Sequence, residues 1–182
     1  MKIPHLLLLG ALAAGGQQAL GQAAGPAPLP ITVPKTITRG EKLTAAQEQQ
    51  LLRTVRLLYS FWNTGELKYA QAAVSPDFKD NTLPPGRPQG IAGLQVAANG
   101  FLTAVPDLKV TLEDVVLTPD KAVIRLLFTG HNTGPFNGHP ASGKPIRFIA
   151  IDIQHLRNGK IFEDWHLEDN LTFQQQIGVV KP

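Results

Sequence analysis

A single α+β domain, with helices first and an antiparallel meander after them, is what the hydrophobic pattern predicts. Three observations carry that expectation. Apolar residues recur at helical spacing between Thr44 and Asn63, the period changes after Leu108, and the later runs are rich in β-branched residues and broken by turn sequences. At 182 residues the chain is long enough for one compact core and short for two. In such a domain the helices must cover one face of a curved sheet.

Met1-Lys2 places a positive charge ahead of an apolar run from Leu6 to Gly16, and small residues follow at Ala19, Gly21, Ala23 and Ala24. This is the layout of a secretory signal peptide cleaved near Gly21 to Ala23. Residues 1–23 are assigned to it, and the mature protein is expected in a periplasm or outside the cell. The run is shorter than the ~18 apolar residues of a membrane span, and no later segment approaches that length. Gly25-Pro-Ala-Pro-Leu-Pro30 and Val33-Pro-Lys35 lack apolar periodicity, so 24–40 reads as an extended Pro-rich tether. The folded domain is set at 41–182.

Thr44-Ala-Ala-Gln47 has capping-box spacing, and Leu51, Val55, Leu58 and Trp62 repeat along one helical face until Asn63-Thr-Gly65 stops them. A second, short helix runs from Glu66 to Val74 and ends before Pro76; a third runs from about Ile91 to Ala104, before Pro106-Asp107. Strands follow over Lys109–Leu117 and Lys121–Thr129, joined by Thr118-Pro-Asp-Lys121, and over Ile146–His155 and Ile161–Leu171, joined around Arg157-Asn-Gly-Lys160.

Composition narrows the chemistry. Lys plus Arg number 17 and Asp plus Glu 14, without a long basic run, so no phosphate-binding stripe exists and nucleic acid is not expected as a partner. The chain has no cysteine, which removes disulfides, thiolate nucleophiles and Cys-based metal sites. His131, His139, His155 and His166 form no H-x-H or H-x-x-x-H pattern, so no metal is expected, and Gly130 to Gly143, which has no phosphate-loop spacing, reads as a connection at the sheet edge or pocket mouth. Carboxylates, imidazoles, amides, hydroxyls or a bound cofactor remain.

Two turn geometries compete at Asn158-Gly159. A two-residue type I′ turn pairs Arg157 with Lys160; a three-residue loop with a bulge shifts the pairing by one. The bulged form groups Ile149, Ile151, Ile153, His155, Ile161, Glu163, Trp165, Leu167 and Asp169 on a mostly apolar face. Phe148, Ala150, Asp152, Gln154, Phe162, Asp164, His166 and Glu168 then share the polar face. Amphipathicity favours the bulged form with the apolar face inward. His155, Glu163 and Asp169 would then be ionisable groups among apolar neighbours, an environment that raises a carboxyl pKa and suits acid/base work. The plainer alternative leaves Asp169 ending a strand in solvent and His155 as a satisfied edge residue.

The stretch from Asp152-Ile-Gln-His-Leu-Arg through Asn-Gly-Lys-Ile-Phe-Glu-Asp-Trp-His-Leu-Glu to Asp169-Asn-Leu171 resembles the ester cyclase branch of the SnoaL-like polyketide cyclases, in the NTF2-like superfamily. So do Gln175-Gln-Ile-Gly178, Gly130-His-Asn-Thr-Gly-Pro-Phe-Asn-Gly-His-Pro-Ala-Ser-Gly-Lys144, and Phe101 with Pro106-Asp107-Leu108. The resemblance runs from roughly Thr44 to Gly178. It implies an NTF2-like cone, with N-terminal helices on a curved antiparallel sheet enclosing a deep apolar pocket, and often a homodimer. Members of the polyketide-cyclase type use a pocket aspartate as acid/base for an intramolecular aldol closure, without metal or cofactor. Carried onto this chain, that aspartate is Asp169, with His155 at or near the family histidine beside it. Asn81, His155 and Asn132 are the candidate donors to a developing oxyanion, and Phe136, Trp165 and Glu163 complete the expected substrate contacts. The chain departs from the family pattern where Asn132 replaces the His of H-T-G and where Asp80-Asn81 stands in place of a strand histidine.

The expected partner is thus a small apolar or polyketide-like molecule. Two other readings fit the same residues: an exported module that binds such a molecule without turning it over, and an isomerase, dehydratase or hydrolase on the same fold.

Overall fold

The computed structural model describes residues 28–31 and 33–181. The signal-peptide assignment and the start of the Pro-rich stretch lie outside them. The chain runs β1 (Thr36–Arg39), α1 (Ala45–Thr64), α2 (Leu67–Ala73), β2 (Val74–Asp80), α3 (Gly90–Ala104), β3 (Lys109–Leu117), β4 (Lys121–His131), β5 (Pro145–Arg157), β6 (Lys160–Glu168) and α4 (Asn170–Ile177). The six strands form one mixed sheet in the order β1-β3-β4-β5-β6-β2. The helices pack on one side of this curved, unclosed sheet, and none among the described residues is long and apolar enough to cross a membrane.

The helix signals act as read. Thr44 accepts from the Gln47 backbone N–H and Gln47 reaches back to the Thr44 N–H, closing the capping box of α1. Gly65, at φ 72°, ends the helix in the left-handed conformation that favours glycine. Leu51, Val55, Leu58 and Phe61 point from α1 into the core. The meander of β3 to β6 is antiparallel throughout.

Four features differ from expectation. Residues 24–40 are not a free tether over their whole length: Ile31 is buried, its carbonyl accepts from Arg56 Nη2 at 3.1 Å, and Thr36–Arg39 pairs parallel with Asp114–Leu117 of β3. This covers an edge that β3 would otherwise leave open. Val74–Asp80 is a strand, parallel to β6 at the other edge, so the sheet is mixed and not wholly antiparallel. The last strand stops at Glu168, and Asp169 caps a fourth helix.

The fourth difference decides the site. Arg157 does pair with Lys160, and Asn158 and Gly159 both take positive φ, so the turn is the two-residue form. A bulge follows at Phe162, between the pairs Leu156↔Ile161 and His155↔Glu163. Beyond it Ile149, Ile151, Ile153, His155, Glu163, Trp165 and Leu167 do share a face, but that face looks outward. Ile149, Ile151 and Ile153 are 45%, 37% and 40% exposed, whereas Asp152, Gln154 and Asp164 are 2%, 0% and 5% exposed. The reason lies in β4, whose Ala122, Ile124, Leu126 and Phe128 are buried while Lys121, Val123 and Arg125 face out. Ile124 pairs with Asp152 and Leu126 with Ala150, and paired residues share a face, so register draws the polar side of β5 inward.

Candidate active site

Where the inner face of β5 and β6 meets the helices there is a cavity of about 220 Å³. Leu58 and Trp62 of α1 and Leu94 and Phe101 of α3 give it apolar walls. Its polar lining is Asp152 on β5, Asp164, His166 and Glu168 on β6, and Asp80, Thr82 and Arg87 at the end of β2 and in the loop beyond.

His166 is strung between two carboxylates. Its Nδ1 bonds to Asp152 Oδ1, and its Nε2 lies 3.5 Å from Glu168 Oε2. Burial works against a charge on the ring, but the Asp152 charge and hydrogen bond, with Glu168 adding, hold its pKa well above the ordinary histidine value. At neutral pH it is therefore an imidazolium with both ring nitrogens as donors. The side chain keeps 21% of its surface open, against 3% for Asp152, so the ring is the member of the pair that a ligand can reach.

Asp152 is fixed from behind. The Tyr59 hydroxyl donates to Asp152 Oδ2 and accepts from Gln154 Nε2 at 3.0 Å. Burial first, then the Asp152 charge, push the Tyr59 hydroxyl well up, so it stays a donor. This chain from Gln154 through Tyr59 and Asp152 to His166 leaves the imidazole one orientation.

Asp80 organises the opposite wall. Its Oδ1 accepts from the Thr82 N–H at 2.8 Å and the Thr82 hydroxyl at 2.9 Å, and its Oδ2 accepts from Arg87 Nη2 at 2.9 Å. Gln89 holds the Asp80 backbone through both its amide atoms. Thr82 Oγ1 in turn accepts the His166 backbone N–H at 3.0 Å, tying the loop to β6.

Asp164 sits between these groups. Burial, then the charges of Asp152 and Asp80, with His166 opposing, push its carboxyl well above the usual range. That favours its protonated form, whereas the exposed Asp169 carboxyl is lowered by hydrogen bonds from the Thr172 side chain and backbone.

The residues expected from sequence are not gathered at this cavity. Asp169 is exposed and accepts the Thr172 N–H at 3.0 Å as the N-cap of α4, so its place in an apolar pocket is corrected. His155 lies on the outer face, 3.4 Å from Glu163 and with its ring 4.8 Å from that of Trp165, which removes all three from the cavity. Asn132 is buried away from it, bonding the Ala104 and Gly134 carbonyls and the Ser142 N–H. Asn81 follows β2, with its N–H on the Asp164 carbonyl and its amide nitrogen buried without a partner. Phe136 packs against Phe173 and borders a neighbouring groove. Asp152, Asp164, His166 and Glu168 stand in the same motif as Asp169, on the face read as solvent-exposed; the alternation of β4 is the signal that identifies them. Among the described residues, no group of three or more His, Asp or Glu is placed to hold a metal.

The family model for SnoaL-like polyketide cyclase matches residues 52–177. A solved structure assigned as a polyketide cyclase from Bacillus cereus ATCC 10987 is 40% identical, covering 83% of this chain and 95% of its own, with a TM-score of 0.75. TsrD from Streptomyces laurentii is 31% identical over 76% of this chain and 100% of its own, with a TM-score of 0.66. IdmH from Streptomyces antibioticus, also assigned as a polyketide cyclase, is 28% identical over 71% of this chain and 99% of its own, with a TM-score of 0.63. No curated protein matches the chain. An α+β cone of this topology, matched in sequence over most of its length, makes the chain a member of the SnoaL-like polyketide cyclase family.

Proposed function

We propose that the cavity performs cofactor-free acid/base chemistry, an intramolecular aldol-type closure of a small polyketide-like ester. One observation supports this above the others: a partly open imidazolium held between Asp152 and Glu168 on the polar wall of a cavity whose helix side is apolar. In this reading Glu168 removes a proton from the carbon next to a carbonyl. The resulting enolate attacks a second carbonyl of the same molecule, and His166 Nε2 gives its proton to the new alkoxide. Glu168, now protonated, returns a proton to His166 and closes the cycle. Asp152 touches no substrate; with Tyr59 behind it, it is a positioning residue that keeps the ring cationic.

The test uses acetophenone, whose single ring suits the cavity volume and whose methyl protons exchange slowly in neutral D₂O. Wild-type protein is expected to accelerate that exchange, followed by proton NMR, and Glu168→Gln or His166→Gln to reduce the acceleration by about 100-fold or more. Binding of acetophenone without exchange sinks the acid/base reading and leaves a small-molecule binding protein.

We extend the proposal to location and assembly. The leader at 1–23 exports the domain, and N-terminal sequencing of the mature protein is expected to begin near Gly21 to Ala23. The apolar outer face of β5 and β6 is the surface for self-association, since Ile149, Ile151, Ile153 and Leu167 together expose an apolar patch there.

A further inference from the structure

The proposed chemistry leaves one buried group unused. Asp164 lines the cavity at 5% exposure, and among the described residues no side chain hydrogen-bonds its carboxyl, which the Trp165 backbone N–H alone approaches. Its Oδ1 is sealed from solvent without a partner, which leaves Oδ2 as the oxygen open to the cavity. Buried polar groups are nearly always paired, so a carboxyl without a side-chain partner at a ligand cavity points to a ligand as the missing one.

The donors around it are already committed. The Tyr59 hydroxyl is spent on Asp152, the Thr82 hydroxyl and Arg87 Nη2 on Asp80, and Asn170 Nδ2 on Glu168 Oε1 at 3.1 Å. Arg87 Nε has no partner but is sealed from the cavity. A substrate with two carbonyls needs two donors, and His166 Nε2 supplies one. We propose that Asp164 is the second, the hydrogen-bond donor to the carbonyl oxygen that becomes the enolate. The proposal rests on the carbonyl chemistry of the preceding section. Its cross-strand partner Gln154 also carries a buried oxygen, Oε1, without a donor, and is a competing acceptor for the same proton.

Its consequence is electrostatic. An acid that keeps its proton between Asp152 and Asp80 stabilises a developing enolate through a fixed hydrogen bond, whereas a carboxylate there would repel it. Asp164 would then set the carbonyl class of ligand that the cavity accepts.

Acetophenone carrying ¹³C at the carbonyl tests this as a bound ligand. At saturation in wild-type protein its carbonyl signal is expected downfield of its position in water. Asp164→Leu is expected to move it upfield and to weaken binding roughly three- to tenfold, the loss of one hydrogen bond. Asp164→Asn keeps the shape and offers a weaker N–H donor, so its signal falls between the two. Glu168→Gln, which removes exchange, leaves the downfield signal in place, so failure of the acid/base reading and failure of this one are told apart. An unchanged signal in Asp164→Leu shows that Asp164 gives the carbonyl no hydrogen bond and overturns the proposal, as does failure of acetophenone to bind wild-type protein.

Discussion

The two faces of the β5–β6 hairpin reverse the usual distribution of residue types. Its inner face carries the buried Asp152, Gln154 and Asp164 and the partly open His166, while its outer face carries Ile149, Ile151, Ile153 and Leu167, with Leu167 72% exposed. Mean hydropathy does not decide which face is buried; the register inherited from β4 does. The inner polar groups tolerate burial because they are paired or neutral: His166 with Asp152, Asp80 with Arg87, Asp152 with Tyr59, and Asp164 as an acid.

The sharpest way to break this contrast is to remove one inner charge. Asp152→Ala leaves the His166 imidazolium without its closest counter-charge and the Tyr59 hydroxyl without an acceptor. It is expected to cost about 3–5 kcal/mol in urea unfolding, the penalty for breaking a buried pair from one side. A loss no larger than that of an outer-face substitution would mean that the pair is not buried in any energetic sense.

Next in size is the response to pH. His166 and Asp164 both hold their protons more tightly in the folded chain than in the unfolded one. Their contribution to stability is complete below the unfolded values, about 6.5 for His and 3.9 for Asp, and disappears as pH rises through the raised folded values. Stability is therefore expected to fall on the alkaline side, and His166→Gln to flatten that fall; identical pH profiles for the two proteins would contradict the shift.

Outer-face changes should be milder for the fold and informative for assembly. Ile151→Ser and Ile153→Ser are each expected to change unfolding stability by no more than about 0.5 kcal/mol, as surface substitutions do. Together they should convert a self-associating species to a monomer in sedimentation velocity. Wild-type protein that sediments as a monomer at every concentration removes the self-association proposal.

The smallest effect is expected at Asp169. Asp169→Ala removes the cap of α4, lowers the melting temperature slightly, and leaves acetophenone exchange unchanged. An exchange loss matching that of His166→Gln would return Asp169 to the chemistry.

Local signals in the chain were legible and long-range ones were not. Thr44-Ala-Ala-Gln47 gives the start of α1 and Gly65 its end, and Thr118-Pro-Asp-Lys121 gives the β3–β4 turn, because each depends on neighbours a few residues away. The grouping of Ile149, Ile151 and Ile153 with Trp165 was legible for the same reason, up to the bulge. Which group faces inward depends on Ile124 pairing with Asp152 across the connection from Asn132 to Lys144, whose length hides the register. The site shifts with it: the motif that holds the site also holds Asp169, whose strand-like spacing hides that its side chain caps a helix beginning one residue later.

The sheet also constrains the order in which this chain can fold. Both edge strands pair parallel with partners made much later, Thr36 with Asp114 and Val74 with Ile161. Such distant pairings delay closure, because the intervening loop entropy must be overcome before any contact rewards it. β2 and the loop that carries Thr82 and Arg87 have no strand to rest on until β6 is synthesised. A nascent chain ending before Lys160 lacks His166 and Asp164 and leaves β2 and β5 without the strand that joins them, so the site and that join are completed in one late event.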